Sequence, residues 1–330
     1  MRDPAEGGTA GAPTRQPAQV VTLGEEMVLL WPELEQSLET ATRFERSFGG
    51  AEGNLSIALA RLGVRTRWIS RFGDDPFGRY VRAALTREGV EVVAQVDPGA
   101  PTAVFFKERV AHGPRRVVYY RRGSAASRMG PEDLAPAHFE GARLLHITGI
   151  TPALSPSCVA AVERAIALAR AANALISVDP NIRLQLFPDA ETCRRILLPL
   201  LAAADLVLLG DEDAAVLFPD LAEAAVPEAV QALGPRTVVL KLGARGACAV
   251  REQRTARVPI YPVSVVDTVG AGDGFDAGFI AGLLHGRSLE HCLRLGARIG
   301  AAAVAVAGDW EGYPSRHELE LEWRGALGDE

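Results

Sequence analysis

The chain is poor in the residues that build metal or disulfide chemistry. Its four cysteines, Cys158, Cys193, Cys248 and Cys292, lie far apart and form no C-x-x-C pair. That spacing excludes a zinc or dithiol site and reads as buried thiols in a cytoplasmic protein. The six histidines are scattered as well. His146, set inside Leu144-Leu145-His146-Ile147, reads as a hydrogen-bonded core residue rather than a ligand. Positive charge is in deficit: 35 Lys plus Arg face 41 Asp plus Glu, a net charge of -6. Binding to nucleic acid by electrostatics is therefore not expected. Arginine far outnumbers lysine, a bias that points to a GC-rich genome and not to chemistry. No apolar run approaches the roughly 18 residues that a membrane helix needs, so no membrane association is expected. The stretch Met1 to Ala18, rich in Pro, Gly and Ala, has no continuous apolar core and is read as a disordered tail, not a secretory signal.

What remains is ordinary globular composition, 48% hydrophobic and 23% charged over 330 residues. One large domain is expected over 19–330. Short strands are expected at Val20 to Leu23 and Thr66 to Ser70, with helices after Gly53 and from Asp75, its N-cap, and Pro76. From Ala142 the alternation is regular. Strands near Leu144 to Ile147, Leu175 to Asp179, Leu206 to Leu209 and Thr237 to Lys241 are separated by helices near Pro156 to Ala172, Ala190 to Leu201 and Val226 to Leu233. Such alternation implies right-handed crossovers and a doubly wound, mostly parallel α/β sheet with helices on both faces. A hairpin-like pair, Ala247 to Arg251 with Arg257 to Val263, and two final helices, Leu289 to Val306 and Ser315 to Ala326, complete it. The region from Val90 to Arg122 differs, since it has no helical pattern. Ala103 to Lys107 and Arg116 to Arg121 read as strands joined at His112-Gly113-Pro114. With residues 26–48 they form a small antiparallel β-lid, spanning about 26–48 and 98–122.

The chain is organised around Val266-Asp267-Thr268-Val269-Gly270-Ala271-Gly272-Asp273. A β-branched run ending at Val266 reads as a strand, the glycines as a tight turn, and Phe275 to Leu284 as a helix. Glycine lets main-chain N–H groups approach a ligand, and a helix N-terminus favours negative charge. A carboxylate in such a turn repels phosphate unless it has a task, such as taking a proton from a hydroxyl. The pairing of Gly270, Ala271 and Gly272 as an anion hole with Asp273 as base points to phosphoryl transfer onto an alcohol. No G-x-x-x-x-G-K-[ST] is present, which excludes a Walker-type loop, and Phe275 stands where a dinucleotide fingerprint needs glycine.

Other polar groups gather at expected strand ends, where open α/β sheets bind ligands. They are Asp179-Pro180-Asn181-Ile182-Arg183, Gly210-Asp211-Glu212-Asp213 and Lys241-Leu242-Gly243-Ala244-Arg245-Gly246. The last puts a cation and glycines where α/β-phosphates could lie. Arg121 from the lid and Arg183 from the sheet suit an acidic substrate, because a guanidinium pairs bidentately with a carboxylate.

Asp267-Thr268-Val269-Gly270-Ala271-Gly272-Asp273 resembles the C-terminal signature D-T-x-G-A-G-D of the ribokinase-like carbohydrate kinases. Gly49-Gly50-Ala51-x-x-Asn54 with Ala60-x-Leu62-Gly63 resembles their N-terminal one. Tyr119-Tyr120-Arg121-x-Gly123-Ser124-Ala125, Ile150 to Ser155 and Asp179-x-Asn181-x-Arg183 look most like the 2-keto-3-deoxygluconate kinases of that family. The resemblance implies a ribokinase-like fold, ATP with Mg²⁺, a monovalent cation left open, and a dimer formed through the β-lid. It implies that Asp273 is the base and that Gly270, Ala271 and Gly272 form the anion hole. Gly50, Ala51, Glu52, Asn54, Phe105, Tyr119, Arg121, Arg183 and Asp267 would face the sugar acid. Asn181, Lys241, Gly243, Ala244, Arg245, Gly246 and Gly270 to Gly272 would face the nucleotide. Asp213 would serve the metal, standing where the family has the Glu of Asn-x-x-Glu. Phe105 replaces a frequent tyrosine, and no asparagine occurs near Arg298 to Ala303. The implied reaction phosphorylates the terminal primary hydroxyl of 2-keto-3-deoxygluconate. The alternatives are a kinase for a neutral ketose such as fructose, or a sugar- or nucleotide-binding regulator without catalysis.

Overall fold

The first apolar run forms β1 (Val20–Leu23), buried at every position, in the computed structural model, which describes residues 16–108 and 116–320. The chain leaves it as β2 (Met27–Pro32) and β3 (Phe44–Gly49), enters α1 (Ala51–Arg61) and returns as β4 (Thr66–Gly73). Next comes α2 (Pro76–Arg87), where Asp75 accepts the Gly78 amide at 2.8 Å and Pro76 opens the helix. β5 (Glu91–Asp97), β6 (Val104–Lys107) and β7 (Val117–Tyr120) follow.

Regular alternation then sets in with β8 (Leu144–Thr148), the short α3 (Ile150–Ala153), α4 (Pro156–Ala171) and β9 (Leu175–Asp179). It continues through α5 (Ala190–Ala203), β10 (Leu206–Gly210), α6 (Asp211–Leu217), α7 (Val226–Leu233) and β11 (Thr237–Lys241). Ser155 and Asp189 cap α4 and α5 by accepting the Cys158 and Thr192 amides at 3.1 and 2.7 Å. β12 (Ala247–Arg251), β13 (Arg254–Val258), α8 (Ala271–Leu284) and α9 (Leu289–Val304) complete the described elements used below.

Among the described residues the large sheet has nine strands in the order β13-β12-β11-β10-β9-β8-β1-β4-β5. Its pairings are parallel from β11 to β5 and antiparallel across β11, β12 and β13. From β1 the order runs one way to β4 and the other way to β8, so a crevice opens at the carboxyl ends of β1 and β8. One face is covered by α1, α8 and α9, with Leu55, Phe279 and Ile299 buried; the other by α4, α5 and α7, with Val162, Leu197 and Val230 buried. The sheet is therefore doubly wound, as its alternating pattern implies. His146 is a core residue: it shares a 3.1 Å hydrogen bond with Ser177, and burial pulls its pKa down to about 4. All four cysteines are buried and unpaired with one another. Among the described residues no helix is long and apolar enough to cross a membrane.

The second sheet has, among the described residues, four strands in the order β3-β2-β6-β7. Its outer pairings are antiparallel, but β2 and β6 run parallel, because the chain passes through the large sheet between them. Four details of the sequence reading change. Glu91–Asp97, assigned to no element from the sequence, is a strand that pairs with β4 at the edge of the large sheet. The last hairpin strand is Arg254–Val258, not 257–263. The run ending at Val266 is no strand. Val263, Val265 and Val266 are exposed, Val265 at 64%, and the Val266 amide donates to Val304 O at 2.7 Å. Of the expected N-terminal tail, residues 1–15 lie outside the described part, whereas Pro17 O accepts Arg65 Nε at 2.9 Å and Ala18 is buried. The expected turn at 112–114 and the end of the last helix, which starts at 316–320, also lie wholly or partly outside the described residues.

Candidate active site

Gly270 caps α8 with φ +77°, a left-handed conformation that a side chain resists. Space demands glycine too, since a Cβ there would overlap Asp309 O. The chain thus turns sharply and presents the first amides of α8 to the crevice, with Asp273 in the first helical turn. Asp273 is half-buried and held by neighbours: Asn54 Nδ2 donates to its Oδ2 at 2.8 Å, and Asn181 Nδ2 stands 3.4 Å from its Oδ1. Burial pushes the Asp273 carboxyl up to about 6, against the opposing pull of the Asn54 hydrogen bond. At neutral pH it is mostly ionised and still basic enough to take a proton.

This carboxylate faces a cavity of about 700 Å³ between the two sheets. Gly50, Ala51 and Asn54 line it from the start of α1, and Phe105, Tyr119 and Arg121 from the small sheet. Asn181 and Arg183 line it after β9, Asp213 from α6, Lys241 and Gly243 after β11, and Gly270, Gly272 and Asp273 from α8. Residues spread over more than two hundred positions of sequence therefore meet in one crevice.

Several expected contacts are absent. Glu52 points into the core, where its Oε1 accepts the Thr148 and Thr151 hydroxyls, each at 2.7 Å. Asp267 is also buried, paired through Oδ2 with Lys107 Nζ at 2.5 Å. Ala244, Arg245 and Gly246 do not line the cavity, and Arg245 turns outward onto Asp211 and Glu223 at 2.9 and 2.6 Å. Ala271 does not line the cavity either, and its side chain packs against the core. Lys241 lines the wall, but its ammonium is held between Asp179 and Asp276 at 2.9 and 3.0 Å. Burial opposes its charge, yet these two carboxylates keep it above its ordinary pKa. Asp213 accepts the Ile182 and Gly210 amides at 2.8 and 2.9 Å, so its placement is that of a helix cap as much as of a metal ligand.

The two arginines differ. Arg121 donates through Nε and Nη2 to Glu25 Oε2, both at 2.7 Å, and its side chain is 10% exposed. Arg183 is exposed, and its one hydrogen bond given by the structure is to its neighbour's carbonyl, Ile182 O, at 3.1 Å. Glu25, Glu26, Lys107 and Asp309 were not singled out from the sequence. Glu26 is buried with neither carboxyl oxygen hydrogen-bonded, and burial with its acidic neighbours lifts its pKa well above the usual range. The one available signal was Gly24-Glu25-Glu26 directly after an apolar strand; Asp309 had none.

A doubly wound sheet, a small sheet over its crevice and a carboxylate set among helix-terminal amides define a ribokinase-like kinase. The model of the pfkB family carbohydrate kinases matches residues 17–316, and the chain belongs to that family. It is 35% identical to the 2-dehydro-3-deoxygluconokinase of Bacillus subtilis, over 91% of this chain and 93% of that one. To the enzyme of that name from Thermoproteus tenax it is 36% identical (93% and 95%), and to a fructokinase of Klebsiella pneumoniae 32% (92% and 98%). Among solved structures, a PfkB protein from Polaromonas sp. JS666 superposes with a TM-score of 0.84 at 39% identity, covering 92% of this chain and 99% of that one. A ribokinase II structure from E. coli in complex with ATP and Mg²⁺ gives 0.86 at 26% identity (93% and 99%).

Proposed function

We propose that this carbohydrate kinase transfers the terminal phosphoryl of ATP to the primary hydroxyl of 2-dehydro-3-deoxygluconate, giving the 6-phosphate. The observation that carries the acid specificity is Arg183, an exposed guanidinium on the crevice wall that forms no salt bridge among the described residues. The sequence similarity to two 2-dehydro-3-deoxygluconokinases supports the same reading.

Asp273 accepts the hydroxyl proton through Oδ1, the oxygen not occupied by Asn54. The amides at Gly270 to Gly272 receive developing phosphoryl charge, as a preorganised anion hole does. The residues present fit a nucleotide triphosphate: Gly243 has open space around it, and Gly272 has nothing closer to a Cβ than Lys241 Nζ at 3.7 Å. A second cavity of about 430 Å³, lined by Tyr261, Pro262 and Ala302, lies beside α9, whose Gly300 packs on Ala271. It offers room for the base. Bound Mg²⁺ would neutralise phosphate charge. No cluster of three metal-binding side chains exists among the described residues, which suits an ion carried on phosphates with one or two carboxylates. Asp213 and the exposed Glu212 stand on that wall.

A neutral ketose such as fructose is the second reading. Glu25 favours it by cancelling the charge of Arg121, and a fructokinase is among the relatives. ATP consumption by purified protein decides, measured across sugar acids and ketoses. Turnover is expected with the sugar acid at the higher kcat/KM; a higher value for fructose overturns the assignment. The working protein is a cytoplasmic dimer joined through the small sheet, whose Phe44 and Tyr120 are exposed apolar surface. Sedimentation at monomer mass would refute the dimer.

A further inference from the structure

Of the 35 basic side chains in this protein only two are lysine, Lys107 and Lys241. Both sit in the crevice wall, and both are clamped between two carboxylates. Lys241 belongs to the sheet. Lys107 does not: it stands on β6 of the small sheet, is 4% exposed, and reaches across to Asp267 Oδ2 at 2.5 Å and Asp309 Oδ1 at 3.3 Å.

Those two acids hold opposite sides of Gly270. Asp267 begins the turn, and its Oδ1 accepts the Val269 amide at 3.3 Å. The main-chain oxygen of Asp309 fills the place of a Gly270 Cβ, and Tyr313, from the same loop, donates its hydroxyl to Gly270 O at 2.6 Å. The loop is tied back to the small sheet a second time, by Ser47 Oγ on Glu311 Oε1 at 2.5 Å and Trp310 Nε1 on Phe48 O at 3.1 Å. Glu311 in turn accepts the Asp309 amide at 2.9 Å.

We propose that Lys107 is a positioning residue for phosphoryl transfer: from the small sheet its ammonium pins Asp267 and Asp309, and through them the Gly270 turn that aims the anion-hole amides. A compact ammonium with three donors fits between two carboxylates in a closed space, where the planar guanidinium does not. That is the physical reason for lysine in a chain that otherwise uses arginine. The inference rests on the anion-hole reading of Gly270 to Gly272. It extends that reading, because the sheet that covers the crevice then also shapes the amides on its far side.

Lys107→Met, Asp267→Asn and the double variant test it. Hydrogen-bond donors aimed at developing charge act mainly on kcat, and small misplacement of such groups lowers rate by about a hundredfold. Each single variant is expected to lose about that factor in kcat, with KM for sugar and nucleotide within about threefold and with unchanged binding of a non-hydrolysable ATP analogue. The double variant removes one charge of each sign, so its thermal midpoint returns toward wild type. Its kcat stays as low as that of either single variant, because the residues act as one unit. If Lys107→Met keeps kcat within threefold of wild type, or if the double variant recovers kcat along with stability, Lys107 only balances charge and the proposal fails. Absence of turnover in the wild-type protein with every sugar tried would instead defeat the kinase substrate assignment.

Discussion

The two walls of the crevice handle charge differently. On the small-sheet wall each cation is already matched by a buried acid: Arg121 by Glu25 at 2.7 Å, and Lys107 by Asp267 at 2.5 Å. On the large-sheet wall Lys241 is matched in the same way, by Asp179 and Asp276 at 2.9 and 3.0 Å, but Arg183 is exposed and hydrogen-bonds a carbonyl, while Glu212 is exposed on the same side. A matched buried pair adds little net attraction for a ligand but fixes geometry, because breaking it strands a charge in a poorly solvated place. An unmatched exposed cation keeps its donors for whatever enters. The comparison assigns shape to the covering wall and recognition to the sheet wall.

Three substitutions break or sharpen that division. The largest effect belongs to neither arginine: Asp273→Asn should lower kcat by about two to four orders of magnitude with nucleotide binding intact, and single-turnover kinetics would show whether it does. Arg183→Ala should lower kcat/KM for a sugar acid roughly 10- to 100-fold, equivalent to about 1.5–3 kcal/mol, and leave fructose nearly untouched. Arg121→Ala should instead cost about 3–5 kcal/mol of stability by stranding Glu25, seen in chemical denaturation, and should impair acid and neutral sugars alike. A selective loss for acids in Arg121→Ala, with stability kept, would erase the distinction between the walls.

The smaller effects concern pH. The raised Asp273 pKa means that the base is lost to protonation as pH falls through about 6, giving kcat/KM an acidic limb there. Asp179, Lys241 and Arg183 face this carboxyl from the sheet wall, with Glu26 and Tyr313 beyond them. Asn54 holds the pKa down, so Asn54→Ala should move the limb toward neutrality; an unmoved limb with a raised sugar KM would make Asn54 a substrate contact instead. Glu26, whose folded pKa lies above the unfolded value, favours folding only while protonated. Its contribution is present at low pH and is lost as pH rises from the unfolded value. Glu26→Gln should therefore raise the thermal midpoint at pH 8 and leave it unchanged at pH 4.

Much of the sheet was legible because its strands are short apolar runs between glycine and acidic residues, with helices whose caps are local, as at Asp75, Ser155 and Asp189. The turn at Gly270 was legible for the same reason, since backbone conformation is a local property. Its approach was not. Val263 to Val266 has strand composition but joins no sheet among the described residues, and pairing, not propensity, makes a strand. The parallel pairing of β2 with β6 likewise depends on two segments distant in sequence.

Residue types alone placed a carboxylate and bare amides at one helix start, because glycine and a helix terminus carry their chemistry with them. Whether a charged side chain serves a ligand or a neighbour was settled only by folding. Glu52 went into the core, Asp267 to Lys107, Arg121 to Glu25, and Arg183 stayed open to solvent. The reason is range: caps and turns are decided within a few residues, whereas the partner of a charge is decided by whichever distant segment packing brings to within about 4 Å.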